Sequence, residues 1–185
     1  MRLSKARVPP LNDSECTAEQ TALIAQTKQR TGTVYNVNRT LMRNMALYTS
    51  WVPFARHTMN SSSLQPRFRE ILILRVACRT DCEYEWGQHV LMSGPAGLTA
   101  ADHQRIKDGA SAAGWSELEA ALIRVADELL AECMISENTW NVLSRHLTTQ
   151  EIIDTIFTVG QYNMVSMALN SLGIERDPGV PGFGL

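Results

Sequence analysis

The chain has 185 residues, 44% of them hydrophobic and 19% charged, with a formal net charge of −2; that is about one globular domain with enough apolar material for a real core. The near-neutral balance excludes a general attraction to nucleic acid or an anionic membrane surface, and no stretch approaches the roughly 18 apolar residues of a spanning helix. Four scattered cysteines (Cys16, Cys78, Cys82, Cys133) exclude a disulfide scaffold, and no apolar h-region follows the N-terminal basic residues, so the expected location is cytoplasmic.

Residues 1–16 read as an arm, loose or docked, because Pro9 and Pro10 block regular structure. Residues 17–185 read as a single helical domain marked by repeated N-terminal capping signals. Thr17 with Gln20 opens a helix to about Arg30. Asn38 opens "NRTLMRNMALYTSWVPFARHTM", one helix broken or kinked near Pro53. Residues 67–79 form an apolar helix, and residues 81–93 form the next, ending before Gly94-Pro95. Thr99 with Asp102 caps a short polar helix. Ser116 with Glu119 caps "ELEAALIRVADELLAEC", where Leu118, Ala121, Leu122, Val125, Leu129 and Cys133 keep helical spacing. Ser136 opens another helix, and Thr148 with Glu151 caps a long one that stops before Gly173. There is no alternation of strand length and no hairpin dipeptide, and the ending "DPGVPGFGL" is irregular. The expected class is all-α, with about eight helices.

Chemistry concentrates in "CEYEWGQH", residues 82–89. Thr80, three residues before Glu83, predicts a capping box and a helix start at Thr80 or Asp81. Cys82 then lies in the first turn, where unpaired amides and the helix dipole favour a thiolate. At spacings of three and four, Cys82, Glu85 and His89 share one helical face. A carboxylate one turn from an imidazole orients it and raises its basicity, as general acid–base work requires. Trp86, one position off that face, is large enough to wall a pocket. Each feature also has a plain explanation: Glu–His pairs at this spacing are common, and a lone cysteine is most often a small buried hydrophobe. Cys78 belongs to the apolar run. Cys82, Glu85 and His89 lack a second ligand cluster, so no metal is expected. His57, His103 and His146 read as solvated.

The stretch "LQPRFREILILRVACRTDCEYEWGQHV" resembles the carboxymuconolactone decarboxylase and alkylhydroperoxidase-D (AhpD-like) family. Glu70, Cys82, position 85 and His89 match its E-x11-C-x2-C-x3-H pattern. The likeness extends to "TVGQYNMVSMALNSLGI" and the Pro-Gly ending, covering roughly residues 30–185, and implies an AhpD-like helical domain. In the peroxidase branch the resemblance implies a peroxide-attacking cysteine at position 85, with Cys82 as its disulfide partner. Glu85 stands there instead, so no CxxC disulfide can form. The decarboxylase branch implies Glu-x3-His, which Glu85 and His89 supply.

The expectation is a cofactor-independent, decarboxylase-like acid–base enzyme acting on a small organic acid or lactone. Such a reaction stabilises an anion as carbon dioxide leaves and then protonates carbon. His89 is the expected proton donor, Glu85 its orienting partner and Glu70 a second carboxylate, with Cys82 lining the pocket or assisting. Arg75 and Arg79 are candidates for holding a substrate carboxylate, and Asn163 for reaching the pocket. The same set serves an isomerase, dehydratase or cyclase equally. One alternative is a thiol peroxidase or reductase using Cys82 alone, through a sulfenic acid and an outside thiol; another is a non-catalytic member kept for assembly. Neither nucleic acid nor membrane is an expected partner. The resemblance implies a homo-oligomer, dimeric or trimer-based, with Met42, Met45, Met164 and Met167 as soft interface residues.

Overall fold

In the computed structural model, which describes Leu3 and residues 5–184, nine α-helices follow one another with no strand among the described residues. They are α1 (Ala18–Thr31), α2 (Asn36–Leu41), α3 (Met45–Arg56), α4 (Pro66–Arg79), α5 (Glu83–Ser93), α6 (Ala100–Asp108), α7 (Glu117–Glu132), α8 (Glu137–His146) and α9 (Thr149–Leu172). Residues 1, 2 and 4 of the expected arm, and residue 185, lie outside the described residues. Among the described residues no helix is long and apolar enough to cross a membrane.

Helix α4 is the axis. Every residue from Glu70 to Ala77 is buried, the pattern of a helix enclosed on all sides rather than along one stripe. It packs against α5, α6, α7 and α9. From α7 come Leu118, Ala121, Leu122 and Val125, the buried positions that helical spacing predicts. Each large aliphatic side chain buried here stabilises the fold by about 1.5–3 kcal/mol relative to exposure. Two charged residues break the apolar run of α4, Glu70 and Arg75, and each is matched by partners described below.

The capping boxes expected at Thr17, Thr99, Ser116 and Thr148 are formed, and Ser136 accepts the Thr139 amide. Gly173 ends α9 at φ +68°, where a side chain would be strained. Two boundaries differ from the sequence reading. The segment expected as one helix from Asn38 is two, because the Asn44 side chain accepts the Leu47 amide and starts α3 afresh. Pro53 lies inside α3 without ending it, and the helix passes into one π turn, His57–Ser61. The second difference is at Thr80. Its hydroxyl turns back to the Val76 carbonyl at 2.8 Å instead of capping α5. Asp81 adopts the left-handed conformation (φ +49°), which Asp tolerates better than most residues. The amides of Asp81 and Cys82 return to the Cys78 and Ala77 carbonyls at 3.3 and 2.9 Å, the paired closure of a Schellman end. Helix α5 therefore begins at Glu83, with Cys82 as the flanking residue.

The Pro/Gly-rich segment after α9 is irregular but anchored. One Asp177 carboxylate oxygen accepts the Asn36 amide at 2.9 Å; the other accepts the Tyr84 hydroxyl at 2.6 Å and the Gln88 side chain at 2.9 Å. Val180 and Pro181 then cross α5 at Gly87, where a Cβ would collide with the Pro181 carbonyl. Only glycine permits that approach. Phe183 packs on Trp86, ring centroids 5.3 Å apart, and its carbonyl accepts from Lys107 Nζ at 2.7 Å.

Candidate active site

Glu85 and His89, one turn apart on α5, face Glu70 on α4. His89 Nδ1 lies 2.7 Å from Glu70 Oε2, and Nε2 lies 3.0 Å from Glu85 Oε1. The spacing of four along α5 makes the second contact, and the packing of α5 on α4 makes the first. All three side chains are at most 8% exposed. Arg69 stands 3.5 Å from the Glu70 carboxylate, and Tyr162 of α9 sets its ring edge-on to the imidazole with centroids 5.1 Å apart.

Burial alone would push the His89 pKa down, but the adjacent Glu70 carboxylate, then Glu85, outweigh it and hold the pKa up to about 9. Burial would likewise raise the pKa of Glu70, yet the imidazolium and Arg69 pull it below the usual carboxylate range. At neutral pH both ring nitrogens therefore carry protons, each donated to a carboxylate. Burial, followed by the charges of Glu85 and Glu70, suppresses ionisation of the Tyr162 hydroxyl, which donates to the Met59 sulfur.

Glu85 and His89 open onto a cavity of about 160 Å³. Its walls are Trp51 and Met59 from α3 and the π turn, Tyr84 from α5, and Tyr162 and Val165 from α9; Gln88 and Gln161 supply polar edges. No arginine or lysine is among the described residues that line it. Among the described residues, no group of three or more His, Cys, Asp or Glu side chains is arranged to hold a metal ion.

Of the residues singled out from the sequence, the structure brings Glu70, Glu85 and His89 together and sets the others apart. Cys82 is fully buried in a separate apolar cluster with Tyr84, Leu169 and Ile174, and does not line the cavity. The cause is the Schellman turn, which places it before the first turn of α5. Trp86 is 1% exposed and points into the main core, where Phe183 and His103 flank it and Lys107 lies over its ring. Arg75 grips Asp127 of α7 through two 2.8 Å bonds and donates to the Ile106 and Lys107 carbonyls, a cross-brace between helices rather than a substrate clamp. Arg79, half-exposed, approaches the same Asp127 at 3.3 Å. Asn163 does not line the cavity. Nor are the other histidines simply solvated: His57 pairs with Asp154, half-buried His103 with Ser93, and His146 with Glu117. Gln161 and Tyr162 line the cavity although no sequence motif singles them out. A signal existed, because Thr155, Thr158, Gln161 and Ser166 form a buried polar stripe at near-helical spacing on α9.

Residues 46–128, a span that includes Glu70, Glu85 and His89, match the carboxymuconolactone decarboxylase family. No curated protein matches the sequence. Among solved structures, the chain is similar to an uncharacterized peroxidase-related protein with an alkylhydroperoxidase AhpD core from Ralstonia eutropha. The identity is 15% and the TM-score 0.80, covering 94% of this chain and 93% of that one. A peroxidase-related protein from Silicibacter sp. gives 18% identity and a TM-score of 0.77, over 97% and 93%. A debrominase in complex with 2,3,4-tribromopyrrole gives 11% and 0.75, over 95% and 94%. The segment that matches the carboxymuconolactone decarboxylase family thus carries the Glu–His–Glu constellation, and the chain as a whole shares the AhpD-like fold.

Proposed function

We propose that this protein is a cofactor-independent acid–base enzyme that moves a proton at carbon in a small neutral lactone or related carbonyl compound, in a lyase or isomerase reaction that removes no carboxylate. The observation that carries this reading is the line Glu85–His89–Glu70, with Glu85 and His89 at the cavity and the imidazole held between two carboxylates. Glu85 is the group that meets the substrate proton. His89 donates to Glu85 and aligns it for that proton, and Glu70 with Arg69 holds the imidazole in place. This assigns Glu85 the direct role and His89 the supporting one, the reverse of the order expected from the sequence. Of an organic acid and a lactone, the lactone is favoured, because the wall offers a carboxylate and its one cationic group, the His89 imidazolium, already gives both N–H groups to Glu70 and Glu85.

Structural neighbours include peroxidase-related proteins and a debrominase, so the fold serves more than one reaction. A thiol peroxidase centred on Cys82 has less support, since that thiol is buried away from the cavity and Glu85 occupies the position of the attacking cysteine. The test is solvent deuterium uptake, followed by NMR, at the carbon beside the carbonyl in a panel of five- and six-membered lactones and cyclic ketones. We expect the wild type to accelerate exchange, Glu85→Gln to remove it, His89→Ala to lower it by about 10²–10⁴-fold, and Cys82→Ser to retain it. Exchange on no member of the panel would overturn the reading. So would hydrogen peroxide consumption lost in Cys82→Ser and kept in Glu85→Gln.

A further inference from the structure

We infer that the cavity takes one neutral ring, of five or six members, bearing a hydroxyl or N–H that donates to Gln161, and that it rejects carboxylates. This rests on the acid–base reading of the site and narrows its substrate. Size comes first. A cavity of about 160 Å³ is close to the ~150 Å³ engineered void known to hold benzene, so one ring and a few substituent atoms fill it. Wall chemistry comes second, with four aromatic side chains, Tyr35, Trp51, Tyr84 and Tyr162, lining the space for a flat molecule.

The third observation is a pair of unsatisfied polar atoms. Gln161 is 3% exposed, and its Oε1 has no hydrogen-bond partner among the described residues; the indole Nε1 of Trp51 is likewise buried and without one among them. Buried polar atoms in native folds are nearly always paired, and an unpaired one carries a cost in stability. One orphan acceptor and one orphan donor on residues lining the same cavity specify a ligand that brings a donor and an acceptor of its own. Charge completes the assignment. Glu85 is at the wall, no arginine or lysine is among the described residues lining the space, and the His89 imidazolium already gives both N–H groups to Glu70 and Glu85, so an incoming carboxylate would be desolvated beside a like charge without a counter-ion of its own.

The test uses the isosteric probes phenol and toluene, with benzoate as the anion, each titrated at pH 7 against the intact protein by ligand-observed NMR. Phenol should bind with a Kd of about 1 mM or tighter, the range open to a seven-atom ligand. Benzoate should bind at least about tenfold more weakly. Gln161→Leu should shift the phenol-to-toluene preference toward toluene by about tenfold, the worth of one neutral hydrogen bond, while its thermal midpoint stays at or above that of the wild type because an orphan acceptor has been removed. Benzoate binding as well as phenol, an unchanged preference in a folded Gln161→Leu, or no binding of phenol would each overturn the assignment. These measurements need no turnover: a Glu85→Gln protein that binds phenol but shows undiminished exchange sinks the proton-transfer reading alone.

Discussion

Raising the pH from 6.5 to 9 should unfold this protein more easily, and His89 is the reason. Its folded pKa of about 9 lies above the ordinary 6.5. The folded protein thus holds a proton through that interval which the unfolded chain has lost. The sign follows directly: the stabilisation is complete below pH 6.5 and disappears as pH rises through 9. At about 1.4 kcal/mol per pH unit, the interval is worth about 3 kcal/mol. The lowered pKa of Glu70 is the same attraction seen from the acid partner and is not added. Other shifted groups act outside the window. Burial lowers the His103 pKa, which matters below 6.5, and raises those of Cys78 and Tyr84, which matters above 9. Urea titrations at half-unit steps of pH give the profile directly. In Glu70→Gln the leading favourable charge on His89 is gone, so burial draws its pKa down and the decline between 6.5 and 9 should shrink to less than half. A flat wild-type profile, or an undiminished slope in Glu70→Gln, would refute the reasoning.

Three further outcomes are expected. Arg75→Ala should lower stability by about 3 kcal/mol in urea titrations, since it leaves Asp127 and two helix-end carbonyls without their shared donor; a loss below about 1 kcal/mol would show that the brace is dispensable. Gly87→Ala tests packing against propensity: helix propensity alone predicts a gain of about 1 kcal/mol, whereas collision with Pro181 and Val180 predicts a loss of about 1–3 kcal/mol, and thermal melts should show the loss. We also expect a light-scattering mass above the 20.6 kDa of one chain. Leu47, Phe157, Met164 and Met167 are all more than 45% exposed, whereas Met42 is fully buried within its own chain and takes no part; a monomeric mass at micromolar concentration would count against this.

The helical class and most helix starts were legible because capping boxes are local, with Thr17, Thr99, Ser116 and Thr148 each needing only a partner three residues on. The Glu85–His89 pair was legible for the same reason, as one turn of α5 brings the two together. Glu70 could be tied to them only through the family spacing, because the packing of α4 on α5 sets its distance. The errors share one origin. Thr80 had two bonding options, and the left-handed turn at Asp81 decided between them, which moved Cys82 out of the first turn and into an apolar cluster. Trp86 and Arg75 look equally suited to a pocket in one dimension. Their directions depend on neighbours about 20 to 100 positions away, such as Lys107, Asp127 and Phe183, which no local pattern records.

The anchoring of α5 by Asp177, Val180 and Pro181 has a consequence for how the molecule comes into being. The helix bearing Glu85 and His89 is synthesised about 90 residues before the segment that clamps it, judging from the 93- and 89-residue separations of the Tyr84–Asp177 and Gln88–Asp177 bonds. Contacts so distant form late and slowly. A nascent chain can thus wind α4, α5 and α7 into a hydrophobic nucleus while α5 still lacks the Asp177 bonds and the covering over Gly87. Reactivity then arrives with the closing of the clamp, after the bulk of the fold. Pulse-labelled hydrogen exchange during refolding should record that order as early protection in α4 and α7 and late protection in α5.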